Sequence, residues 1–208
     1  MGLIPAHTFQ DLAAASLFAG ISVNEIKALC AEADCSFLEF QEGAIVAWRG
    51  DSYERLILLT RGSLTAEIVD EKGASLKVES LVAPAPVASG ILFAEEALLP
   101  VQLRAERSGE ALSISRQGIL DICRRDERFL QNYLRDGGNK IKFLADKLRF
   151  FRFNTIREKI AAYFLELSSR QGEVISLPYS LEVVADLFGV TRPALSRCLS
   201  QMVDEGLL

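Results

Sequence analysis

The sequence is short of histidine, cysteine pairs and positive charge, and each shortage excludes something. His7 is the single histidine in 208 residues. No Ser/His/Asp set, metal-ligand cluster or phosphate-cradling glycine loop is present, so no enzymatic reaction has a residue set to carry it. The four cysteines, Cys30, Cys35, Cys123 and Cys198, form no CxxC pair, which argues against a zinc site and a disulfide framework. Cys30 and Cys198 fall on apolar helix faces and are expected to pack, while Cys35 is expected to be the most exposed of the four. No apolar run reaches ~18 residues, so no transmembrane span is expected. The opening MGLIPAHTFQDLAAASLFAG has no basic residue ahead of its apolar part and does not read as a secretory signal. Ala6 stands where a myristoylation motif needs Ser or Thr. A cytoplasmic chain without a membrane partner is the expectation.

Lysine and arginine total 23 against 28 acidic residues, a net charge of −5. The deficit is uneven. Residues 1–138 hold 13 basic and 20 acidic residues, whereas residues 139–208 hold 10 basic and 8 acidic. An acidic N-terminal part is thus followed by a mildly basic C-terminal part, and a nucleic-acid partner for the latter would be held with strong salt dependence.

What the chain does have is hydrophobic content, 50% of its residues, arranged in three successive rhythms. Residues 8–33 carry a helical pattern: Leu12, Leu17 and Phe18 come first, and then Ser22 and Glu25 form a capping box ahead of Ile26, Leu29 and Cys30. From Ser36 the rhythm shortens to FLEF, AIVAW, RLILLT, LTAEIV and LKVESLV, separated by turn signals at Gly43, Gly50, Gly62 and Gly73, with a further strand pair between Val101 and Ser115. Short strands at near-regular spacing predict an antiparallel sandwich or barrel. A long helix is then predicted from about Arg125 to Arg152.

That helix carries Leu130, Leu134, Gly137, Ile141, Leu144, Leu148 and Phe151 at alternating steps of four and three. A seam of this period over about three heptads predicts a two-helix coiled coil and a homodimer. Phe129, Phe143 and Phe150 supply a second apolar face for packing within one chain. Gly137-Gly138 marks either a close helix approach or a flexible point, at roughly 1 kcal/mol per Gly relative to Ala.

After Asn154 a helix carries Ile156, Ile160, Tyr163, Phe164 and Leu167 on one side, and EVISLPYS reads as a short strand or turn. In SLEVVADLFGVTRPALSRCLSQMVDEGLL, Val183, Val184, Leu187 and Phe188 form one helical stripe, and Leu195, Cys198, Leu199 and Met202 form a second. Ala185 is small enough for close packing, Gly189 suits a sharp turn, Thr191 sits at an N-cap, and Pro193 lies in the first turn. This spacing predicts a helix-turn-helix. An ordinary helical hairpin shares the periodicity, but the second helix opens with Thr191, Arg192, Ser196 and Arg197, side chains able to contact phosphates or base edges.

The motifs FQEGAIVAWRGD at Phe40 to Asp51, LILLTRGSL at Leu56 to Leu64 and the terminal VTRPALSR, in this order, resemble the cAMP receptor protein / fumarate-nitrate reduction regulator (Crp/Fnr) family of bacterial transcription factors. The resemblance spans nearly the whole chain. It implies an α+β chain: an antiparallel β-roll (a double-stranded β-helix or jelly roll) of the cyclic-nucleotide-binding type over 1–124, a dimerisation helix over 125–153, and a winged helix-turn-helix over 154–208. It further implies a homodimer that binds an effector in or near the roll and places two readers in successive major grooves of a pseudo-palindromic DNA site. RNA polymerase becomes a partner if the protein activates. Thr191, Arg192, Ser196 and Arg197 are the implied DNA contacts.

The chain departs from the family pattern in four places. Members that bind cAMP hold its ribose with a Gly-Glu pair and its phosphate with an Arg-Ser pair; alignment on Leu92-Phe93 puts Ala88 and Ser89 at the first and Leu99 and Pro100 at the second. A buried cyclic phosphate without its Arg is an unpaired charge, so cAMP is not the expected effector. Val87, Ala88, Ser89, Leu99 and Pro100 form the candidate effector pocket, suited to an apolar or flat ligand, or to none. The iron–sulfur branch has an N-terminal cysteine cluster that Cys30 and Cys35 do not supply, so a cluster is not expected. PVASGILF followed by PVQL resembles the nitrosative-stress branch that regulates the hybrid-cluster protein, which keeps haem open with His7 as its one candidate ligand; a lone histidine near a terminus otherwise reads as solvated. Many members carry Glu at the position of Pro193, where it accepts from cytosine, so a different base preference is expected. Members also continue past Glu205-Gly206-Leu207-Leu208 into a β-hairpin wing, and weaker DNA binding is expected without it. The competing function is a ligand-binding β-roll module that acts through protein partners without touching DNA.

Overall fold

The computed structural model describes residues 4–69, 75–172 and 174–208. The chain divides into two compact units, one up to Lys140 and one from Ile141 onward, with the division inside a single long helix.

The first unit opens with α1 (Ala6–Ala13), a 3-10 turn at Ser16–Phe18 and α2 (Val23–Glu32). The expected helical stretch is therefore two helices and a turn. The capping box starts α2: the Ser22 amide donates to the Glu25 carboxylate at 2.8 Å and the Glu25 amide donates to the Ser22 hydroxyl at 3.4 Å. Leu12, Leu17, Phe18 and Ile26 are fully buried against the sheet.

Six strands follow: β1 (Cys35–Phe40), β2 (Ile45–Ala47), β3 (Arg55–Val69), β4 (Ser75–Val82), β5 (Ala85–Val87) and β6 (Gln102–Ser115). The two long strands, β3 and β6, pair antiparallel from Arg55↔Ser115 to Glu67↔Gln102. The outer edge of β6 takes β1 and β2, and the outer edge of β3 takes β5 and β4. Two expectations are corrected here. RLILLT and LTAEIV are halves of one strand, and so are VQLRAE and EALSIS. The Arg61-Gly62 signal is a bulge rather than a hairpin turn: the register shifts on both sides of Arg61. Gly62 has φ +84, and a Cβ there would fall 2.6 Å from the Ser108 carbonyl oxygen. Gly109 faces it, where a Cβ would fall 2.1 Å from the carbonyl oxygen of Arg61. Two missing side chains let the long strands bend past each other, and bulges of this kind curl a flat sheet into a roll. Leu58, Leu64, Leu103, Leu112 and Ile114 fill its interior.

The predicted long helix is α4 (Glu127–Phe151), and a separate helix, α3 (Arg116–Arg125), precedes it. Asp126 separates them with an extended backbone (φ −135, ψ 108). Its carboxylate accepts the Arg128 amide at 2.8 Å and the Phe129 amide at 3.2 Å, so it caps α4. Hydrogen bonds from Arg128 hold this carboxyl below its ordinary range. Phe129 is buried and stacks on Phe18 with ring centroids 5.1 Å apart.

Two single-residue expectations also change. Cys35 is not exposed; it is buried at 2%. His7 is not simply solvated, since its Nε2 lies 2.6 Å from the Glu110 carboxylate. Both partners, Ile114 opposite Cys35 and Glu110 opposite His7, come from β6.

The second unit holds the end of α4 with α5 (Ile156–Gln171), α6 (Leu181–Phe188) and α7 (Arg192–Asp204). Thr155 and Glu158 form another capping box at the start of α5. The segment 174–180 carries no strand. Phe150, Tyr163 and Phe188 form an aromatic cluster, with centroids 4.8 Å apart for Phe150–Phe188 and 5.7 Å for Tyr163–Phe188. Ile160, Leu187, Leu195 and Met202 complete this core.

Candidate nucleic-acid interface and effector region

The helix-turn-helix forms for the reasons legible in its residues. Gly189 ends α6 in the left-handed region (φ 66), a conformation costing roughly 1–2 kcal/mol for other L-residues. The Val190 amide then donates to the Ala185 carbonyl at 3.0 Å, which closes the turn. Lys159 reaches from α5 and donates to the Phe188 carbonyl at 2.7 Å, satisfying an otherwise free helix-end acceptor. Thr191 caps α7, accepting the Ala194 amide at 3.4 Å, and Pro193 sits in the first turn.

Leu195 and Met202 anchor α7 in the core. The opposite side presents Pro193, Arg197, Ser200 and Asp204, all exposed. Arg197 is the exposed cation of this stripe; its Nε makes a long contact of 3.4 Å to the Pro193 carbonyl, and among the described residues it enters no ion pair. Arg192 lies nearer the flank, 3.7 Å from the Glu182 carboxylate. Ser196 is half-buried, and Thr191 is exposed but uses its hydroxyl as the cap. Ser200 and Gln201 are exposed polar residues that sequence reading passed over; the signal was their spacing of three and four from Arg197.

The five candidate effector residues differ in exposure. Val87, Ser89 and Leu99 are buried, Ala88 is half-buried with φ 47, and Pro100 is exposed. Ser89 is engaged by α4: its hydroxyl donates to the Asp136 carboxylate, and the Tyr133 hydroxyl donates to its carbonyl at 2.6 Å. Burial pushes the Tyr133 hydroxyl well above its ordinary pKa. An open groove of about 430 Å³ on the roll is lined by Leu38, Tyr53, Arg55, Ile57, Leu99 and Ser113. It takes in Leu99 and none of the other four. Its one cation, Arg55, is already bonded to Asp34 at 2.6 Å and to the Ser113 hydroxyl at 2.9 Å. Among the described residues no group of three or more His, Cys, Asp or Glu side chains is placed to hold a metal ion, and His7 has Glu110 as its neighbour. No helix among them is long and apolar enough to cross a membrane.

Along α4 the seven seam residues divide by exposure. Leu134, Ile141, Leu144, Leu148 and Phe151 are each more than half exposed, Leu130 is at 37%, and Gly137 is half-buried with open space where a side chain would project. The other face is covered, with Phe129 and Phe150 buried and Phe143 half-buried.

Together, the roll, the long helix and the helix-turn-helix define a DNA-binding transcription regulator. Residues 158–208 match the Crp-like helix-turn-helix domain. A transcriptional regulator from Thermotoga maritima is 28% identical over 61% of this chain and 96% of its own, with a TM-score of 0.56. The Thermus thermophilus catabolite activator protein is 20% identical over 92% of this chain and 88% of its own, with a TM-score of 0.58. The c-di-GMP-responsive global regulator CLP of Xanthomonas campestris is 19% identical over 98% and 94%, with a TM-score of 0.54. No sequence among the curated proteins matches the chain. Residues 158–208 are thus a Crp-like helix-turn-helix domain, and the fold of the chain is similar to that of the catabolite activator protein.

Proposed function

We propose that the chain is a homodimeric, effector-responsive regulator that binds a pseudo-palindromic DNA site with two copies of α7. The observation that carries the DNA reading is Arg197: an exposed cation with no ion pair among the described residues, in the middle of the outward stripe of a helix whose start is fixed by the Gly189 turn. It donates to a guanine edge or a phosphate. Ser196, Ser200 and Gln201 flank it, and Arg192 reaches the backbone once it leaves Glu182. Thr191 orients the helix start and contributes its exposed side to a phosphate. Pro193, with no side-chain acceptor, leaves the facing base pair to be read by its neighbours.

The exposed seam of α4 supports the dimer. Five large apolar side chains in water forgo roughly 1.5–3 kcal/mol each that burial would return, and an apolar stripe at heptad spacing is self-complementary about a two-fold axis. Two-fold symmetry puts the readers on half-sites about one helical turn apart. In this reading residues 1–124 sense, 125–153 join the subunits, and 154–208 read DNA.

The effector is not cAMP. An anionic phosphate brought to Ser89 meets the Asp136 carboxylate, and Leu99-Pro100 offers no cation to offset it. CLP answers to c-di-GMP; the same repulsion weighs against that class of ligand here. Haem has only His7, which Glu110 already engages, so an uncharged organic effector fits the apolar roll best. Two measurements check this proposal. Selection from random double-stranded DNA on the purified chain is expected to enrich an inverted repeat; enrichment of nothing favours a β-roll module that works through protein partners. Calorimetric titration is expected to show no cAMP uptake, and stoichiometric binding would overturn the effector argument.

A further inference from the structure

The open groove of about 430 Å³ on the roll takes no part in the dimer or in the DNA reading. Its deeper lining is apolar. Ile57 and Leu99 are buried at 8% and 2%, and Leu38 and Ala47 wall it from β1 and β2. The two buried polar side chains that line it are already engaged. The Tyr53 hydroxyl donates to the Val87 carbonyl and accepts the Ile57 amide at 3.0 Å, and the Ser113 hydroxyl accepts from Arg55 at 2.9 Å. The Arg55 guanidinium is matched by the Asp34 carboxylate at 2.6 Å, and it holds that carboxyl below its ordinary range.

The rim is different in kind. Asp51, Ser52 and Glu54 line the groove from the loop between β2 and β3, and all three are exposed. One Asp51 oxygen accepts the Trp48 amide at 2.8 Å, which fixes the loop, and the Ser52 hydroxyl makes a long contact of 3.5 Å to Glu54. Among the described residues neither Asp51 nor Glu54 enters an ion pair. What the groove leaves free is therefore two carboxylates, acceptors with uncompensated negative charge, beside an apolar lining.

We propose that this groove binds a small organic cation, an ammonium or amidinium carried on an apolar or flat body. The body covers Leu38, Ala47, Ile57 and Leu99, and the cationic N–H groups donate to Asp51 and Glu54. The volume falls within the roughly 300–1,000 Å³ of small-molecule sites. An anion is repelled at the rim. An uncharged molecule of the same shape gains the apolar lining but leaves both carboxylates without a counter-charge. A divalent metal ion finds two carboxylates where calcium takes about six to eight oxygen ligands. Trp48, the one tryptophan of the chain and 59% exposed, is on the turn that carries Asp51, so the bound cation comes near it. The inference does not rest on the regulatory reading, and this ligand is a second one beside the uncharged effector.

The test uses the full chain and three probes with a shared body: phenylbutylamine, phenylbutanol and phenylbutyrate. Each is titrated by calorimetry at low salt and neutral pH while Trp48 emission is followed. Exposed ion pairs contribute modestly, up to about fivefold in affinity each, so the amine is expected to bind roughly tenfold tighter than the alcohol. Phenylbutyrate is expected to bind weakest, and added salt to close the gap between amine and alcohol. Trp48 emission is expected to change with the amine at the calorimetric midpoint. Glu54→Gln and Asp51→Asn keep the shape of each side chain, and the second keeps an acceptor for the Trp48 amide. Each is expected to weaken the amine about two- to fivefold and to leave the alcohol unchanged. Equal binding of amine and alcohol overturns the cation assignment. Amine binding unaltered in both variants puts the cation elsewhere and overturns it too. No uptake of any of the three probes overturns the site. None of these readouts involves DNA, so they succeed or fail apart from the reading of α7.

Discussion

Gly109 shows how much of the fold rests on single atoms. A Cβ there would fall 2.1 Å from the carbonyl oxygen of Arg61 and 2.8 Å from the Phe40 ring. The backbone oxygen cannot swing away without breaking the β3–β6 ladder. Gly109→Ala is expected to destabilise the first unit by about 1–3 kcal/mol or more, the range for overpacking a closed site, read as a lower thermal midpoint. Glu25 makes a second prediction. The Ser22 hydroxyl, the Arg128 guanidinium and the Ser22 amide hold its carboxyl at about 2 instead of 4.5. A carboxyl depressed by folding contributes stability in full above its unfolded value and loses it as the pH falls through the folded one. The gap in urea midpoint between the native chain and Glu25→Gln is therefore expected to be widest above pH 4.5 and to close toward pH 2. A gap independent of pH would contradict that assignment. The Ser22 cap and the Gly189 turn were legible because their partners lie within a few residues. The burial of Cys35 and the His7–Glu110 contact were not, because both depend on β6, about 80 to 100 residues further along.

At the scale of elements, α4 presents two faces with opposite demands. Both were legible, the seam from its alternating steps and the inner face from its phenylalanines, because a helix writes its periodicity directly into sequence. The strands were less legible. A turn signal such as Arg61-Gly62 reads the same whether the chain reverses or only bulges, so β3 and β6 each looked like two strands; only the partner's register separates the cases. The start of α4 was legible to within two residues, whereas the separate helix α3 before it was not. The two faces of α4 make a paired prediction. Leu144, 55% exposed in one chain, is expected to tolerate Asp with unchanged helical circular dichroism, while sedimentation shifts from dimer to monomer. Phe150, 1% exposed, is expected to lose about 3–5 kcal/mol of stability in the second unit on replacement by Ala. A Leu144→Asp chain that still sediments as a dimer would move the subunit contact elsewhere.

For the molecule as a whole, charge and function pull in different directions. The chain is net negative, yet residues 139–208 carry a small positive excess. Much of that excess is internally spent: Arg157 pairs with Glu205, and Arg149 and Arg170 both pair with Glu166. These ion pairs leave few free cations for phosphates, so the strong salt dependence expected from the charge distribution is revised: the drop in DNA affinity between low and moderate salt is expected to be shallow in slope while absolute affinity is modest. In the proposed reading, such a reader is expected to depend on its few base contacts, with Arg197 foremost. The direct test is a fluorescence-anisotropy titration of the native chain and Arg197→Ala against the DNA selected by the native chain, at fixed salt. Loss of about 1–3 kcal/mol, roughly 5- to 150-fold in affinity, with relaxed preference at one base pair of each half-site, is the predicted result. Equal affinity and unchanged preference for the two proteins would mean that α7 does not read DNA.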